Sequence, residues 1–394
     1  MRVLFVSYNG ALDSLGQSQV LPYLREIGKD RHEIWLLTFE RRSPQTVREA
    51  AVLQAHLEQQ GIRWTWLWYH KTPPVLSTLW DLSRGLVATF WLVLRHKVQV
   101  IHARSQVAAT MAWPVARLLR RRFIFDLRGQ MAYEYADGGT WQAGGWLYRM
   151  VERAERRFVR DADAVVVLTR VLAEDVAPLA FRPPVVIPTC VDFDLFPHPS
   201  VLPPAGPSRM LYCGSLGARY AVSLLATCFV EARRFLPELE LRILTHSDAG
   251  ALRVCLEEAG VDPSRYQIAR LQHQDISRYL AQALFGVLLL QGGRSLRGAC
   301  PTKVGEYLAA GLPVLASPGI GDCTDLLEGH RIGVVLKDHR PESFHEGLDR
   351  LLHLLKEGAA LRERCRLVAE KEFSLTGLGG PAYRTLYRRV EEGV

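Results

Sequence analysis

Gly298-Ala299-Cys300-Pro301-Thr302-Lys303-Val304-Gly305-Glu306-Tyr307-Leu308-Ala309-Ala310-Gly311-Leu312-Pro313-Val314-Leu315 reads as a helix running straight into a strand. Pro301 suits a first helical turn, where its missing N–H has no intrahelical partner, and Gly311 can close the helix in a left-handed conformation. The spacing therefore predicts a helix over 301–310. The apolar runs 284–290 before it and 312–316 after it have the length and composition of buried parallel strands, so the whole is one strand–helix–strand unit.

Outward from this unit the same alternation fills the chain. Strands are predicted at 208–213, 239–245, 265–269, 284–290, 312–316 and 332–336, and an earlier set at 2–7, 33–39, 62–69, 98–103, 122–127, 164–168 and 184–187, with helical segments between. That pattern belongs to parallel sheets covered by helices on both faces. At 394 residues the chain exceeds what one core supports, so an α/β fold of two doubly wound, Rossmann-like domains is expected. Residues 188–207 hold Pro188, Pro197, Pro199, Pro203, Pro204 and Pro207, a stiff connection that sets the boundary. Ligands of open α/β sheets bind beyond the carboxyl ends of strands, which puts the expected ligand in a cleft faced by the two domains.

The two halves differ in kind. Residues 1–189 carry 25 Lys and Arg against 17 Asp and Glu, while the remainder balances at 24 against 24. All nine Trp, from Trp35 to Trp146, lie in the basic half, and all seven Cys, from Cys190 to Cys365, lie beyond it. Basic charge with Trp suits an anionic membrane face, or solvated arginines on helices. No nucleic-acid motif accompanies it, so no nucleic-acid partner is expected. An odd Cys count without paired CxxC spacing argues for reduced thiols in the cytoplasm. Met1-Arg2 passes directly into Val3-Leu4-Phe5-Val6, too short for a signal peptide's apolar region. The longest apolar stretch, 85–94, is about half of the ~20 residues that span a bilayer.

Chemistry concentrates where strands end. The N-terminus of the 301–310 helix offers free N–H groups and a partial positive charge to a phosphate, and Lys303 adds a full charge. Glu306, one turn on, shares its face and can accept both hydroxyls of a ribose, while Gly305 lets a planar ring approach the backbone. The same spacing also fits an amphipathic helix with an exposed Lys–Glu pair. The first loop, 8–17, carries Gly10 and Gly16 but not Gly-x-Gly-x-x-Gly, which disfavours a dinucleotide enzyme. Asp161-Ala162-Asp163 and Asp192-Phe193-Asp194 lack convergent partner carboxylates, and no metal site is expected. Trp64, Trp66 and Trp68 alternate on one side of a strand, which fits core packing. The segment 76–95, with Leu79, Trp80, Leu82, Leu86, Phe90, Trp91 and Leu94, fits either a covered sheet helix or a membrane interface.

The stretch 298–315 resembles the C-terminal signature of the retaining nucleotide-sugar glycosyltransferases of family 4, also called group 1, which have the GT-B fold of two Rossmann-like domains. Further fragments fall in family order: Asp13-Ser14-Leu15-Gly16-Gln17-Ser18-Gln19-Val20-Leu21-Pro22, Phe125-Asp126-Leu127-Arg128-Gly129, Val167-Leu168-Thr169, Ile187-Pro188-Thr189-Cys190-Val191-Asp192 and Tyr212-Cys213-Gly214-Ser215-Leu216-Gly217. The resemblance implies an acceptor-binding domain at 1–190, a linker at 191–207, a nucleotide-sugar-binding domain at 208–375, and a C-terminal helix at 376–394 returning to the first domain. Glu306 matches the second of the family's paired glutamates, the one that binds the donor ribose. Gly298 stands where the first would be, with Arg294 or Arg297 able to fill that space.

Two other positions depart from the family. Ser215 replaces a frequent Arg, leaving Arg219 as the phosphate-binding cation, and Arg128 stands where many members have His. Arg128 is expected either to engage the diphosphate or an acidic acceptor, or to pair with a carboxylate such as Glu134. Gly16 and Gln17 are expected to face the donor phosphates with Gly214, Ser215, Pro301, Thr302, Lys303 and Glu306. Lys303, Arg219 and Arg128 would then steady the departing diphosphate of a UDP- or GDP-sugar without a cofactor or metal, in a solvent-facing cleft. The resemblance also implies a glycan or glycolipid acceptor and work at the cytoplasmic membrane face. Two alternatives share these features: a GT-B nucleotide-sugar epimerase, which needs general acid and base groups, and a catalytically inactive nucleotide-sugar-binding subunit.

Overall fold

The computed structural model describes residues 1–196, 208–217, 222–270 and 275–393. Within these, β1 (Arg2–Ser7), β2 (Glu33–Glu40), β3 (Ile62–Trp68), β4 (Val100–Arg104), β5 (Arg122–Leu127), β6 (Ala164–Val167) and β7 (Val185–Val186) form a parallel sheet in the order 3-2-1-4-5-6-7. A second parallel sheet is built from β8 (Arg209–Cys213), β9 (Glu240–Leu244), β10 (Tyr266–Ala269), β11 (Phe285–Leu288), β12 (Val314–Ala316) and β13 (Gly333–Val335), in the order 10-9-8-11-12-13. Each order reverses once, between β1 and β4 in the first sheet and between β8 and β11 in the second. The two parallel-sheet α/β domains expected from the sequence are therefore present.

The chain divides into two compact units, one of residues 1–136, 141–188 and 375–394, the other of 137–140 and 189–374. Residues 191–196 pack with the second unit, where Val191 N–H donates to Phe373 O at 2.7 Å and Phe196 is buried. The Pro-rich 197–207 lies outside the described residues. The helix Gly380–Glu392 packs in the first unit with Tyr383 and Tyr387 buried, and Arg384 pairs with Glu26 at 2.7 Å.

Alternation at period two explains why both faces of a sheet can be apolar. In the second unit Leu211 and Leu288 enter one core while their neighbours Met210 and Val287 enter the other. Strands run shorter than the apolar runs that foretold them, because residues such as Leu289 and Leu290 stay buried after β11 has stopped pairing. Of the three β3 tryptophans only Trp64 is buried; its indole N–H donates to Thr38 Oγ1 at 2.8 Å, while Trp66 and Trp68 are half-buried.

The turn after β5 is fixed by buried polar groups. Gln106 Nε2 donates to Gly129 O and to Glu155 Oε2 (2.6 Å), and Gln130 Nε2 reaches Glu155 Oε1 at 3.4 Å. Burial pushes the Glu155 carboxyl up to about 7, against the lowering effect of both amides. Folded chains therefore hold this proton where unfolded chains have lost it, so its stabilisation is complete below about pH 4.5 and is lost as pH rises through 7. Glu155→Gln should remove a dependence worth about 3 kcal/mol. In denaturation series from pH 5 to 8 the wild type should lose stability relative to the variant as pH rises, and parallel curves would refute the assignment.

Candidate functional site

In the second unit the helix Thr302–Ala309 starts after a loop and a 3-10 turn, Arg294–Gly298, that follow β11. Pro301 is its N-cap rather than part of its first turn, in an extended conformation (φ −64°, ψ 130°), and Gly311 is left-handed at φ +71°. Neither Lys303 nor Glu306 forms an exposed pair: they are 6% and 8% accessible. The expectation of a solvent-facing lysine is corrected by what covers it. Its ammonium lies 4.5 Å from the Tyr212 ring centroid and 3.4 Å from the Tyr212 hydroxyl, beside the end of β8.

Gly214 makes this possible. At φ +136° its backbone is one that side chains rarely adopt, and a Cβ there would stand 2.6 Å from Lys303 Nζ. The lysine thus rests against bare backbone where β8 and β11 diverge, the place at which open α/β sheets bind ligands. Burial draws the Lys303 ammonium down to about 8, opposed by Cys213 and Glu306. Burial likewise pushes the Cys213 thiol up to about 12. Tyr307 braces the strand end: its hydroxyl oxygen accepts from Cys213 N–H at 2.8 Å. Ser215 is exposed, and its carbonyl accepts from the Tyr212 hydroxyl. Thr302 and Pro301 are half-buried at the helix start, while Thr189 Oγ1 donates to Cys300 O at 2.8 Å just before it.

Other expected residues fall elsewhere. Gly305 does not offer its backbone to a planar ring, because a Cβ there would meet Val191 Cγ2 at 2.7 Å and Phe373 at 3.2 Å. Gly298 is buried, with Arg294 and Arg297 exposed on either side. Arg219 lies outside the described residues. In the first unit Gly16 and Gln17 belong to a helical turn, Ser14–Gln19, rather than to a loop. Gly16 packs where a Cβ would meet Gly10 O at 2.1 Å, and the Gln17 amide donates to Ala11 O at 2.7 Å. Glu40 holds this segment by accepting from Ala11 N–H (2.6 Å) and Leu12 N–H (3.2 Å).

Arg128 has Asp126 as a carboxylate partner, at 3.0 Å, where Glu134 had been the example given for such a pairing; half-buried Glu134 lies against Gly129. The Tyr383 hydroxyl donates to the same Asp126 at 3.0 Å. Burial raises the Asp126 carboxyl, yet Arg128, His102 and Arg104 together hold it down at about 2. Sequence reading missed Tyr212, Glu40 and Asp126. Tyr212 stands two residues before the quoted Gly214, and Asp126 is the last residue but one of β5, which were the available signals. The Asp161 and Asp163 carboxylates serve local bonds, to Trp113 and to Phe123 N–H.

Residues 16–190 match the Glycosyl transferase 4-like domain, and residues 207–354 match the Glycosyl transferases group 1 domain. The chain is a glycosyltransferase, and belongs with group 1. Sucrose-phosphate synthase from Thermosynechococcus elongatus superposes with a TM-score of 0.75 at 14% identity, covering all of both chains. HepE of Anabaena, solved with UDP and glucose, superposes at 0.71 and 14% identity over 98% of this chain and all of its own. A glycosyltransferase from Rickettsia africae gives 0.68 at 13% identity, over 100% of this chain and 99% of that one. The fold is GT-B. No curated protein matches the chain in sequence.

The packing at Gly305 is directly testable. Gly305→Ala should destabilise the protein by about 1–3 kcal/mol, the usual cost of forcing a methyl into a filled core. Denaturant unfolding measures it, and an unchanged midpoint would mean that Val191 and Phe373 yield freely.

Proposed function

We propose that this glycosyltransferase moves a sugar from a nucleotide diphosphate donor to a hydroxyl of a glycan or lipid-linked acceptor, with retention of anomeric configuration and without metal. The observation that carries the reading is Lys303, a buried ammonium held against the bare backbone of Gly214 at the start of a helix. Breaking the anomeric bond puts about one further negative charge on the departing diphosphate. A preorganised cation in a water-poor site is suited to meeting that charge. The UDP and UDP-glucose complexes of HepE favour a UDP-type donor. In this reading Glu306 holds the ribose and Pro301, Thr302, Gly214 and Ser215 flank the phosphates, so the second domain takes the donor. The first domain, with Arg128 and Glu134, takes the acceptor.

Lys303→Met tests the reading while leaving shape and burial in place. Turnover with a UDP-sugar should fall by about 10²–10³. Glu306→Gln should chiefly weaken UDP binding, by the roughly 1.5–3 kcal/mol of one charge-assisted bond. Isothermal titration and product analysis are the measurements. A Lys303→Met enzyme keeping more than about a third of wild-type turnover would exclude the role.

A peripheral place at an anionic, cytoplasmic membrane face belongs to the same reading. The helix Pro74–His96 is tied to the first unit by buried Asp81, whose carboxylate meets His70 Nδ1 at 2.6 Å and the Tyr8 hydroxyl at 3.1 Å. Its other side exposes Leu76, Leu79, Trp80, Val87, Trp91 and Leu94 at helical spacing. Among the described residues no helix is long and apolar enough to cross a membrane. Such a stripe instead suits the headgroup boundary, beside the positive charge of this half. Flotation with vesicles rich in anionic lipid should be strong at low salt, weaken as salt rises, and be lost in Trp80→Glu/Trp91→Glu. Equal flotation of that variant, or none by the wild type, would overturn this placement.

A further inference from the structure

The first sheet has its own switch point, between β1 and β4, and the last residue of β4 there is Arg104, paired in register with Ser7 on one side and Asp126 on the other. Its side chain is 7% accessible, and its Nε is enclosed with no hydrogen-bond partner among the described residues. No ion pair within those residues includes it. A buried guanidinium so placed is costly, because desolvation is not offset by an acceptor.

The neighbouring charges do not supply one. The nearby carboxylate is Asp126, and it already accepts from Arg128 Nε at 3.1 Å and from the Tyr383 hydroxyl at 3.0 Å. Beside it His102 has its charged form disfavoured by burial and accepts or donates at Nδ1 to the Tyr387 hydroxyl at 2.7 Å. Tyr23 and Tyr383 complete the surroundings. Arg104 and Arg128 thus both lie in the field of the one nearby carboxylate. The next residue, Ser105, begins the 14-residue helix Ser105–Leu118, whose first N–H groups add to the positive field, and it does so in a left-handed conformation at φ 75°.

We infer that Arg104, with Arg128, is an anion site that takes a phosphoryl group. A planar guanidinium fork and a helix N-terminus both match a tetrahedral dianion, and the carboxyl end of the sheet at its switch point is where such a ligand binds. The phosphoryl group comes from a phosphorylated acceptor or from the donor's own diphosphate. The site is defined by charge in the first unit alone, so it stands whether or not the transfer reading does.

The test uses the full chain in a Lys303→Met background, so that the second unit's lysine does not contribute. Inorganic phosphate, titrated against sodium chloride at matched ionic strength, should raise the melting temperature saturably. Adding Arg104→Met should weaken this response at least tenfold. In phosphate-free buffer Arg104→Met should melt at the same temperature as its parent or higher, since it removes an unpaired buried charge. With Lys303 intact, Arg104→Met leaving UDP affinity unchanged assigns the phosphoryl group to the acceptor, and a tenfold loss of UDP affinity assigns it to the donor. A phosphate response no greater than the salt control, an undiminished response after Arg104→Met, or a large fall in its melting temperature would each overturn the site.

Discussion

Both candidate sites in this protein depend on the reversal of strand order in a parallel sheet. Where consecutive crossovers turn to opposite sides, two adjacent strand ends are left without a connection over them, and the backbone groups there face open space. β8 and β11 end in this way, and so do β1 and β4. The residues at those ends are the ones that a sheet's packing does not dictate. Lys303 comes to one of them from a helix start, and Arg104 stands at the other as the last residue of its strand.

Placing a cation at such a point has a cost, and the surroundings show how it is contained. Lys303 is kept over the face of Tyr212, where ring electrons offset part of the lost hydration. Gly214 omits a side chain to make the room, and Tyr307 holds the end of β8 by accepting from Cys213 N–H. Around Arg128 the compensation is a full carboxylate, Asp126, itself steadied by Tyr383 from the C-terminal helix. That helix comes from the far end of the sequence, so the charge balance of the first sheet depends on how the chain closes.

The architecture was legible because it rests on alternation and on breakers, which are local. Short apolar runs marked each strand, and Gly311 marked the end of the helix that begins after Pro301. Burial was not legible. Lys303 and Glu306 at i and i+3 look like a solvated pair on any helical wheel, yet both are buried, and Lys303 is covered by Tyr212 and Gly214, some ninety residues earlier in the chain. Gly305 misled for the related reason that a glycine open to a ligand and a glycine crowded by Val191 and Phe373 have the same letter. A carboxylate pairing for Arg128 was one of two readings, with Glu134, six residues on, as its example, while the carboxylate it meets is Asp126, two residues back on the strand. Strand pleating brings i and i+2 to the same face, a rule that outweighs nearness along a turn.

The two buried cations also differ in a way that bears on what each can do. Lys303 has a titration that burial moves close to neutrality, so its charge answers to what binds beside it: an approaching anion raises its proton affinity and completes its charge. Arg104, drawn down only to about 10, stays charged throughout the range in which proteins work. A fixed guanidinium suits a ligand that arrives already charged and must be held without change. If the two proposed roles hold, the choice of Lys for one switch point and Arg for the other matches a division between a site where charge develops and a site where charge is recognised.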